Sequence, residues 1–418
     1  MADGRARSRT RPPAGPATGS SRHRISRSQR IRAERLARRR RRRAGGLVIG
    51  LLVMVVMAAV FLGPRLWDSL SGPVTDYRGD GKHDLVIEIR AGDSTTAIGE
   101  TLYQHGVIAT VQAFVEAAHG NAKIAAIQPG FYRTRTQIPA ASAVEWLVDP
   151  DNRVGRLVIP EGRQLDDTTD LKTNQVTPGI FSLISAATCV DLDGDRSCAQ
   201  VADLRAAAGA GSTSALLVPP WAIDRVIAMG GDHRRLEGLI APGTWNVNPA
   251  ASAEDILATL IGSGTTSYGR SGLQDTANLL QMPPYDVLVV ASLVQRESQP
   301  GDFGKVARVI YNRLIAHRTL EFDSTVNYPL DRREVATTDA DRAQHTPWNT
   351  YVLHGLPATP ICSPGQEALG AAERPEPGDW LYFVTIDHDG TTLFTRDYQQ
   401  HLANIELAKH NGVLDSSR

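Results

Sequence analysis

The chain has 418 residues, of which 42% are apolar and 22% charged. This composition excludes wholesale disorder and a multi-span membrane protein, and the length leaves room for two or three domains. The net charge of zero conceals two electrically opposite parts. Residues 1–43 contain 16 Arg against Asp3 and Glu34, a net charge of +14, so the remaining residues carry −14. An acidic body of this kind is unsuited to binding nucleic acid.

Residues 1–43 are predicted to form a disordered cytoplasmic tail, because they consist mostly of Arg, Ser, Pro and Gly. A nucleic-acid-binding arm is the alternative, since runs of Arg bind phosphates without sequence preference. The position of the tail beside an apolar segment favours a role in membrane topology and in attraction to anionic lipids.

The next predicted element is a transmembrane helix at residues 44–63, twenty residues without a charge or a strongly polar group. At 1.5 Å per residue it spans about 30 Å, the thickness of a bilayer's hydrocarbon core. Six consecutive Arg precede it at 38–43. The positive-inside rule therefore predicts a single-pass cell membrane protein with a cytoplasmic N-terminus and an extracytoplasmic body. The alternative is a cleaved signal peptide, whose apolar region is usually shorter and ends in a small-residue cleavage site.

Residues 64–84 are rich in Gly, Asp and Ser and are predicted to be a linker. A first folded module is predicted at 85–153. It begins with a short β-strand, continues through a Gly-Asp-Ser turn that caps a helix carrying Ile98 and Leu102 on one side, and adds a second helix at 111–119. This pattern resembles a LysM-like module, a small fold that binds glycans containing N-acetylglucosamine. Any other small αβ unit is the alternative.

Residues 154–282 are predicted to be an α/β segment, with the motifs LVIPEG and LEGLIAPGTW and a helix at 253–261. Within it, residues 178–214 are rich in Ala and Gly, show little periodicity and are predicted to be an elaboration. Cys189 and Cys198 are close enough in sequence for a disulfide, a pairing that the sequence leaves open. The Asp-rich turn between them has its Gly out of register for a calcium loop, which favours a solvated turn. We predict no metal or organic cofactor.

The last predicted domain, residues 283–418, begins with a helix at 285–298, since Pro283 and Pro284 favour a helix start. Glu297 lies three residues after Val294 and seven after Val290, which places it on the stripe that enters the core. A carboxylate there is either paired with an arginine or poorly solvated, with the raised pKa that a general acid needs. The position alone favours the paired or exposed alternative.

The remainder of this domain alternates helices with turn-rich segments. A helix is predicted at 302–316, a hairpin at 380–395 and a closing helix at 398–410. Between them lie FDSTVNYP, WNTYVLHGLP and ICSPG, which mix aromatic rings with amides and hydroxyls. A groove that binds sugars uses this mixture, rings for the apolar faces and amides for the hydroxyls.

Several motifs in order carry a resemblance to a known family: ASLVQRES with Glu297, YNRL, FDSTVNY, NTY with GLP, SPG and the LYFV hairpin. Together they resemble the endolytic murein transglycosylase family, also called YceG-like or MltG, over residues 85–411. The resemblance implies an α+β protein with one N-terminal transmembrane helix, a LysM-like module and a mixed α/β catalytic domain. It also implies an enzyme that cuts peptidoglycan strands internally, leaves 1,6-anhydro-N-acetylmuramic acid ends and so limits strand length. Peptidoglycan is then the substrate and peptidoglycan synthases are candidate partners.

The resemblance also implies site residues. The catalytic Glu of the family lies in a motif commonly written ASIVEKE, whose last Glu falls on Glu297. The earlier Glu of that motif is Gln295 here, and Gly243 stands where the family often has Asp; both are departures. The groove is predicted to be lined by residues of the motif segments, each with a purely structural hydrogen-bonding role as the alternative: Asn312, Ser324, Thr325, Tyr328, Asn349 and Tyr351. Glu237 is predicted to support the site from the preceding segment.

A lone carboxylate suits lytic chemistry, because the C6 hydroxyl of the sugar itself attacks C1 and no water nucleophile is required. A hydrolase normally needs a second acid about 5 to 9.5 Å away, and Asp302, Glu321 and Asp323 are the nearest candidates in sequence. A lysozyme-like hydrolase and a non-catalytic scaffold that binds peptidoglycan are the alternative functions.

Overall fold

The computed structural model describes residues 75–333 and 337–413, together with Met57. The predicted cytoplasmic tail lies outside the described residues, as does the predicted transmembrane helix apart from Met57. Among the described residues, no single helix is long and apolar enough to cross a membrane; Leu273–Leu280 and Pro284–Glu297 pass that test only as a pair, with a bend of 98° between them.

The N-terminal module is an antiparallel sheet with helices inserted between its strands. Its elements are β1 (Asp84–Ile89), α1 (Thr95–Gln104), α2 (Val111–Ala118), β2 (Gly130–Arg135), α3 (Ala140–Val148) and β3 (Arg153–Val154). The strands lie in the order β1-β2-β3. Side chains of Ser94 and Thr110 accept hydrogen bonds from backbone N–H groups in the first turns of α1 and α2, which fixes where these helices begin. The predicted strand and two helices are therefore confirmed.

This module has a hydrophobic core of its own, formed by buried side chains that include Ile87, Ile98, Leu102, Phe114, Tyr132 and Leu147. The chain passes from this module to the body through Gly155, which adopts a positive φ of 69°. A Cβ at this position would lie 2.0 Å from the carbonyl oxygen of Val247. Only glycine fits this junction with the body.

The body contains small sheets and many helices. Its strands are β4 (Arg156–Ile159), β5 (Thr168–Asp170), β6 (Val176–Thr177), β7 (Val190–Leu192), β8 (Asp195–Ser197), β9 (Gly243–Asn246), β10 (Arg332–Arg333), β11 (Tyr382–Thr385) and β12 (Thr392–Thr395). Its α-helices are α4 (Ile180–Thr188), α5 (Val201–Ala210), α6 (Ile223–Ala228), α7 (Ala253–Ser271), α8 (Leu273–Leu280), α9 (Pro284–Glu297), α10 (Phe303–Ile315), α11 (Asp323–Asn327), α12 (Asp339–Arg342), α13 (Gln366–Glu373) and α14 (Tyr398–His410). The pairs β4-β9, β7-β8 and β11-β12 are antiparallel, and β5 lies between β10 and β6. Helices therefore supply most of the core.

The segment at 178–214 is not the elaboration that the sequence predicted. It forms α4 and α5, whose side chains Phe181 and Leu204 are fully buried in the main core. Small residues permit this packing: a Cβ on Gly209 would lie 2.6 Å from the carbonyl oxygen of Gly231. Between the two helices, β7 and β8 form a hairpin, and Cys189 and Cys198 at its base are joined by a disulfide.

One core extends across the boundary that the sequence placed between residues 282 and 283. It contains side chains from both predicted segments, including Leu157, Leu239, Ile261, Val290, Ile310 and Leu369. The helix α9 runs through this core, and every side chain from Val287 to Val294 is buried. The predicted helices at 285–298, 302–316 and 398–410 are confirmed to within one residue at each end, and β11 and β12 form the hairpin predicted at 380–395.

Candidate active site

Glu297 is the last residue of α9, where the helix emerges from the core. Residues from Val287 to Val294 are buried, whereas Gln295, Arg296 and Glu297 are only partly buried. The apolar stripe of α9 anchors the helix, and its final turn carries the carboxyl group to the edge of the core. The first turn of α11 lies beside it, and the hydroxyl of Ser324 donates a hydrogen bond to Glu297 Oε1. Glu297 and Ser324, both predicted from the sequence as site residues, are thus in direct contact.

The surroundings raise the pKa of Glu297 to about 7. Burial is the largest cause, because a poorly solvated carboxylate is destabilised relative to the neutral acid. Hydrogen bonds from the hydroxyl and the backbone N–H of Ser324 oppose burial, the negative charge of Asp323 adds to it, and the positive charge of Arg296 opposes it. A carboxyl group with this pKa exchanges its proton readily near neutral pH, as a group that acts first as acid and then as base requires.

Asp323, the neighbour of Ser324, is held by three other side chains. Its carboxylate accepts hydrogen bonds from Tyr351 Oη at 2.8 Å, from Thr337 Oγ1 at 2.5 Å and from Arg342 Nε and Nη2, both at 3.1 Å. Burial, followed by the charge and the hydrogen bond of Asp323, raises the pKa of the Tyr351 phenol, so Tyr351 remains a donor. Asp323 therefore acts on Glu297 through its charge while its own oxygens are occupied.

Asn349 and Thr325 support this arrangement from the interior. The side-chain amide of Asn349 donates to the carbonyl oxygens of Arg342 and Gln344, at 2.9 and 2.6 Å, and its oxygen accepts from the backbone N–H of Tyr351 at 2.9 Å. One buried amide thus orients both Arg342 and Tyr351, which hold Asp323. Thr325 is fully buried and its hydroxyl lies 2.8 Å from that of Thr350. Burial favours a supporting role for both over the substrate contact predicted from the sequence.

Glu237 and Tyr328 form a second buried pair in the core. Glu237 Oε2 accepts from Tyr328 Oη at 2.9 Å and from the backbone N–H of Leu165 at 3.0 Å. Burial raises the pKa of Glu237 to about 8, so this carboxyl is mostly neutral at pH 7. The pair connects Tyr328, which directly follows α11, to Leu165 in the segment after β4. Support of the active site by Glu237 stays a prediction. Tyr328 itself is closed to solvent.

Asn312 lies apart from these groups. Its amide donates to the carbonyl oxygens of Gly378 and Trp380, at 3.2 and 2.9 Å, and so ties α10 to the segment that precedes β11. Gln295, the departure from the family motif, accepts a hydrogen bond from the backbone N–H of Gly365 at 2.8 Å. An amide oxygen can accept this hydrogen bond, as a carboxylate oxygen could.

The other second-acid candidates are engaged elsewhere. Glu321 pairs with Arg313 at 3.0 Å, and Asp302 lies 3.3 Å from Lys305. Arg342, which holds Asp323, was not predicted from the sequence. Its only signal was the charged stretch around residues 331–342, which lacks a recognisable motif.

The fold and this site define a mixed α/β protein with one candidate acid at the end of a core helix. The YceG-like family model matches residues 87–407, and the chain belongs to that family. This confirms the resemblance drawn from the motifs.

Two curated relatives are named endolytic murein transglycosylase. The chain is 32% identical to the one from Bacillus subtilis over 168 residues, 40% of this chain and 46% of that protein. It is 24% identical to the one from Streptococcus pneumoniae strain D39 over 181 residues, 42% of this chain and 32% of that protein. The matched segments thus span less than half of these relatives. The chain is also similar to the crystal structure of a yceG-like protein from Listeria monocytogenes, with a TM-score of 0.50 and 25% identity over 77% of this chain and 98% of that one.

Proposed function

We propose that the chain is a membrane-anchored endolytic lytic transglycosylase. It cleaves the bond between N-acetylmuramic acid and N-acetylglucosamine in nascent peptidoglycan and leaves 1,6-anhydro-N-acetylmuramic acid ends that terminate strand elongation. The observation that carries this proposal is the environment of Glu297, a partly buried carboxyl group at the edge of the core with a pKa of about 7. The printed names of the two curated relatives support the substrate class.

In the proposed reaction Glu297 performs both proton transfers. Its acid form donates a proton to the glycosidic oxygen as the C1–O bond breaks and positive charge develops at C1. The resulting carboxylate then accepts the proton of the C6 hydroxyl of the same sugar as that oxygen bonds to C1. The proton lost in the first step is regained in the second, so one carboxyl group completes the cycle and no water is consumed.

A hydrolase is less consistent with the site. Both hydrolytic mechanisms use a second carboxylate, either as the nucleophile or as the base that activates water. The acid next to Ser324 is Asp323, and its oxygens are occupied by Arg342, Tyr351 and Thr337. For Asp323 to serve as nucleophile or base, its charge-assisted hydrogen bonds with Arg342 would have to break. A non-catalytic scaffold remains the alternative from another class, because a groove binds strands whether or not it cuts them.

In this proposal a single transmembrane span at residues 44–63 anchors the chain, and the body that follows it lies on the extracytoplasmic side of the cell membrane. Residues 85–153 serve as a LysM-like glycan-binding module. The support is the order strand, helix, helix, strand from β1 to β2, together with the separate core of the module. A module that holds the strand near the membrane raises its local concentration at the catalytic body. Peptidoglycan synthases are the proposed protein partners there.

The test is product analysis of purified sacculi digested by the full-length chain and by Glu297→Gln. Because the amide cannot donate the proton, we expect the release of anhydro ends to fall by about 10²- to 10⁴-fold. The matched control is Glu254→Gln, an exposed glutamate in the first turn of α7. Mass spectrometry separates the outcomes, since an anhydro end is lighter than a reducing end by one water. Reducing ends would indicate a hydrolase, and binding without new ends would indicate a scaffold.

A further inference from the structure

A cavity of about 200 Å³ lies beside the last turn of α9, the turn that ends at Glu297. Gln295 and Arg296 contribute one wall, and Arg163, Thr168 and Thr177 line other parts of it. Glu161 and Asp166 also line it, so two guanidinium groups and two carboxylates surround a space large enough for a small polar group of a substrate. Neither the motifs nor the proposed proton transfers assign a role to this cavity.

The fold leaves one polar atom of the Arg296 side chain unsatisfied. Its Nε atom is buried and has no hydrogen-bond partner among the described residues. A buried N–H without an acceptor is unfavourable, because it has lost water and gained nothing in exchange. Because this Nε is closed to solvent, a ligand in the cavity would have to pair with the terminal nitrogens of the Arg296 guanidinium instead.

The buried acid of the cavity does not supply that acceptor. Asp166 Oδ1 accepts from Arg205 Nε at 2.7 Å, its Oδ2 lies 2.6 Å from His233 Nε2, and Arg234 lies 3.6 Å away. These partners outweigh burial and lower the pKa of Asp166, so its charge is already balanced. Asp166 therefore does not neutralise Arg296, and the other carboxylate of the lining, Glu161, is exposed to solvent.

We propose that this cavity binds a carboxylate of the peptidoglycan substrate, with Arg296 as the residue that recognises it. This inference rests on the proposed function. A guanidinium fork matches a carboxylate with two parallel hydrogen bonds, a geometry that neutral sugar hydroxyls do not offer. The carboxylate comes from one of two sources, the lactyl group of a muramic acid without a peptide or the peptide stem.

Occupation of the cavity also affects the acid next to it. The charge of Arg296 opposes the rise in the pKa of Glu297. A bound carboxylate neutralises that charge, so Glu297 holds its proton more firmly once the substrate is in place. The correct substrate thereby favours the protonated form that bond cleavage requires.

The experiment measures binding rather than turnover. The full-length chain carrying Glu297→Gln, which does not cut its ligand, is titrated calorimetrically with three probes: glycan strands with peptide stems, strands stripped of peptides by an amidase, and stripped strands whose lactyl carboxylates have been converted to methyl amides. Arg296→Gln and Arg296→Lys are compared in this background. The matched control is Arg270→Gln, an exposed arginine in the last turn of α7.

We expect Arg296→Gln to weaken binding of at least one carboxylate-bearing probe by about tenfold or more, the loss typical of a charge-assisted pair. Arg296→Lys restores part of it, because the charge remains without the fork. A loss confined to stripped strands identifies the lactyl carboxylate, and a loss confined to strands with stems identifies the stem. Equal losses on all three probes, or no loss on any, would overturn the proposal. Absence of anhydro ends from the wild-type chain would refute the proposed function alone, since binding to the cavity is measured separately in the Glu297→Gln background.

Discussion

The hydrogen bond from Ser324 to Glu297 provides a quantitative test of how the site sets its acidity. It stabilises the carboxylate, so Ser324→Ala should raise the pKa of Glu297 above its value of about 7. A hydrogen bond to a charged group contributes about 1.5 to 3 kcal/mol, and about 1.36 kcal/mol corresponds to one pKa unit. Because the backbone N–H of Ser324 remains and Glu297 is only partly buried, we expect the lower end, an increase of about one pH unit.

The assay is the rate of anhydro-end release as a function of pH, between about pH 5 and pH 9, at substrate concentrations well below KM. The alkaline limb of kcat/KM reports loss of the proton from the free enzyme's acid. In Ser324→Ala this limb should move to higher pH while the activity at low pH is retained.

Asp323→Asn gives the matched change of opposite sign. The Asp323 charge adds to the raised pKa of Glu297, so its removal should move the alkaline limb to lower pH. The asparagine oxygen still accepts from Tyr351, Thr337 and Arg342 Nε, whereas the hydrogen bond from Arg342 Nη2 to the second carboxylate oxygen is lost. If both variants shift the limb in the same direction, or neither shifts it, Glu297 is not the group that titrates.

Three further predictions concern stability. The folded state favours the neutral form of Glu237, whose pKa is about 8 against an ordinary value of 4.5. The free energy of unfolding should therefore fall by on the order of 5 kcal/mol as the pH rises from about 5 through 8. Glu237→Gln should make this fall shallower, and plots of unfolding free energy against pH that run parallel for the variant and the wild type would contradict the prediction. Gln295→Leu removes the acceptor of the Gly365 N–H and should cost about 1 to 3 kcal/mol in denaturant unfolding, whereas Gln295→Glu should cost far less. Replacing Cys189 and Cys198 together by Ser should lower the free energy of unfolding by about 2 to 3 kcal/mol, and reduction of the wild type should have the same effect while leaving the variant unchanged.

Elements with local signals were predictable from the sequence. The prolines that begin α9 and the apolar spacing along it specify a helix without reference to the rest of the chain. The local signal of α14 is the cap at Asp397, whose side chain accepts a hydrogen bond from the backbone N–H of Gln400. The helix predicted at 253–261 was too short by ten residues, since α7 continues to Ser271. A Cβ on Gly264 would lie 2.4 Å from the carbonyl oxygen of Leu239, so glycine serves close packing in this helix and does not end it.

The candidate acid was predicted only through the resemblance of its motif to the family, since its position alone favoured a paired or exposed glutamate. Most of its environment could not be predicted. Ser324 lies 27 residues after Glu297, and Arg342 lies 19 residues after Asp323. These contacts arise only when α11 packs beside α9 and α12 packs beside α11. The sequence likewise does not tell whether an amide faces a groove or a backbone carbonyl. Asn349 was assigned to the groove and instead orients its own loop, because its burial leaves backbone groups as its partners.

The pKa of Glu297 results from opposing contributions, and the proposed reaction changes several of them in sequence. A glycan strand over the site excludes water and strengthens the effect of burial, which keeps the proton on Glu297 before the bond breaks. As the leaving oxygen takes that proton, positive charge develops at C1 beside the new carboxylate, and this charge stabilises the ionised form. When the C6 oxygen closes onto C1 the charge disappears, and burial again favours the acid. A carboxyl group with a pKa near 7 can thus lose its proton when positive charge develops at C1 and regain one when that charge disappears. An exposed glutamate with a pKa near its ordinary value would be mostly ionised before the first step.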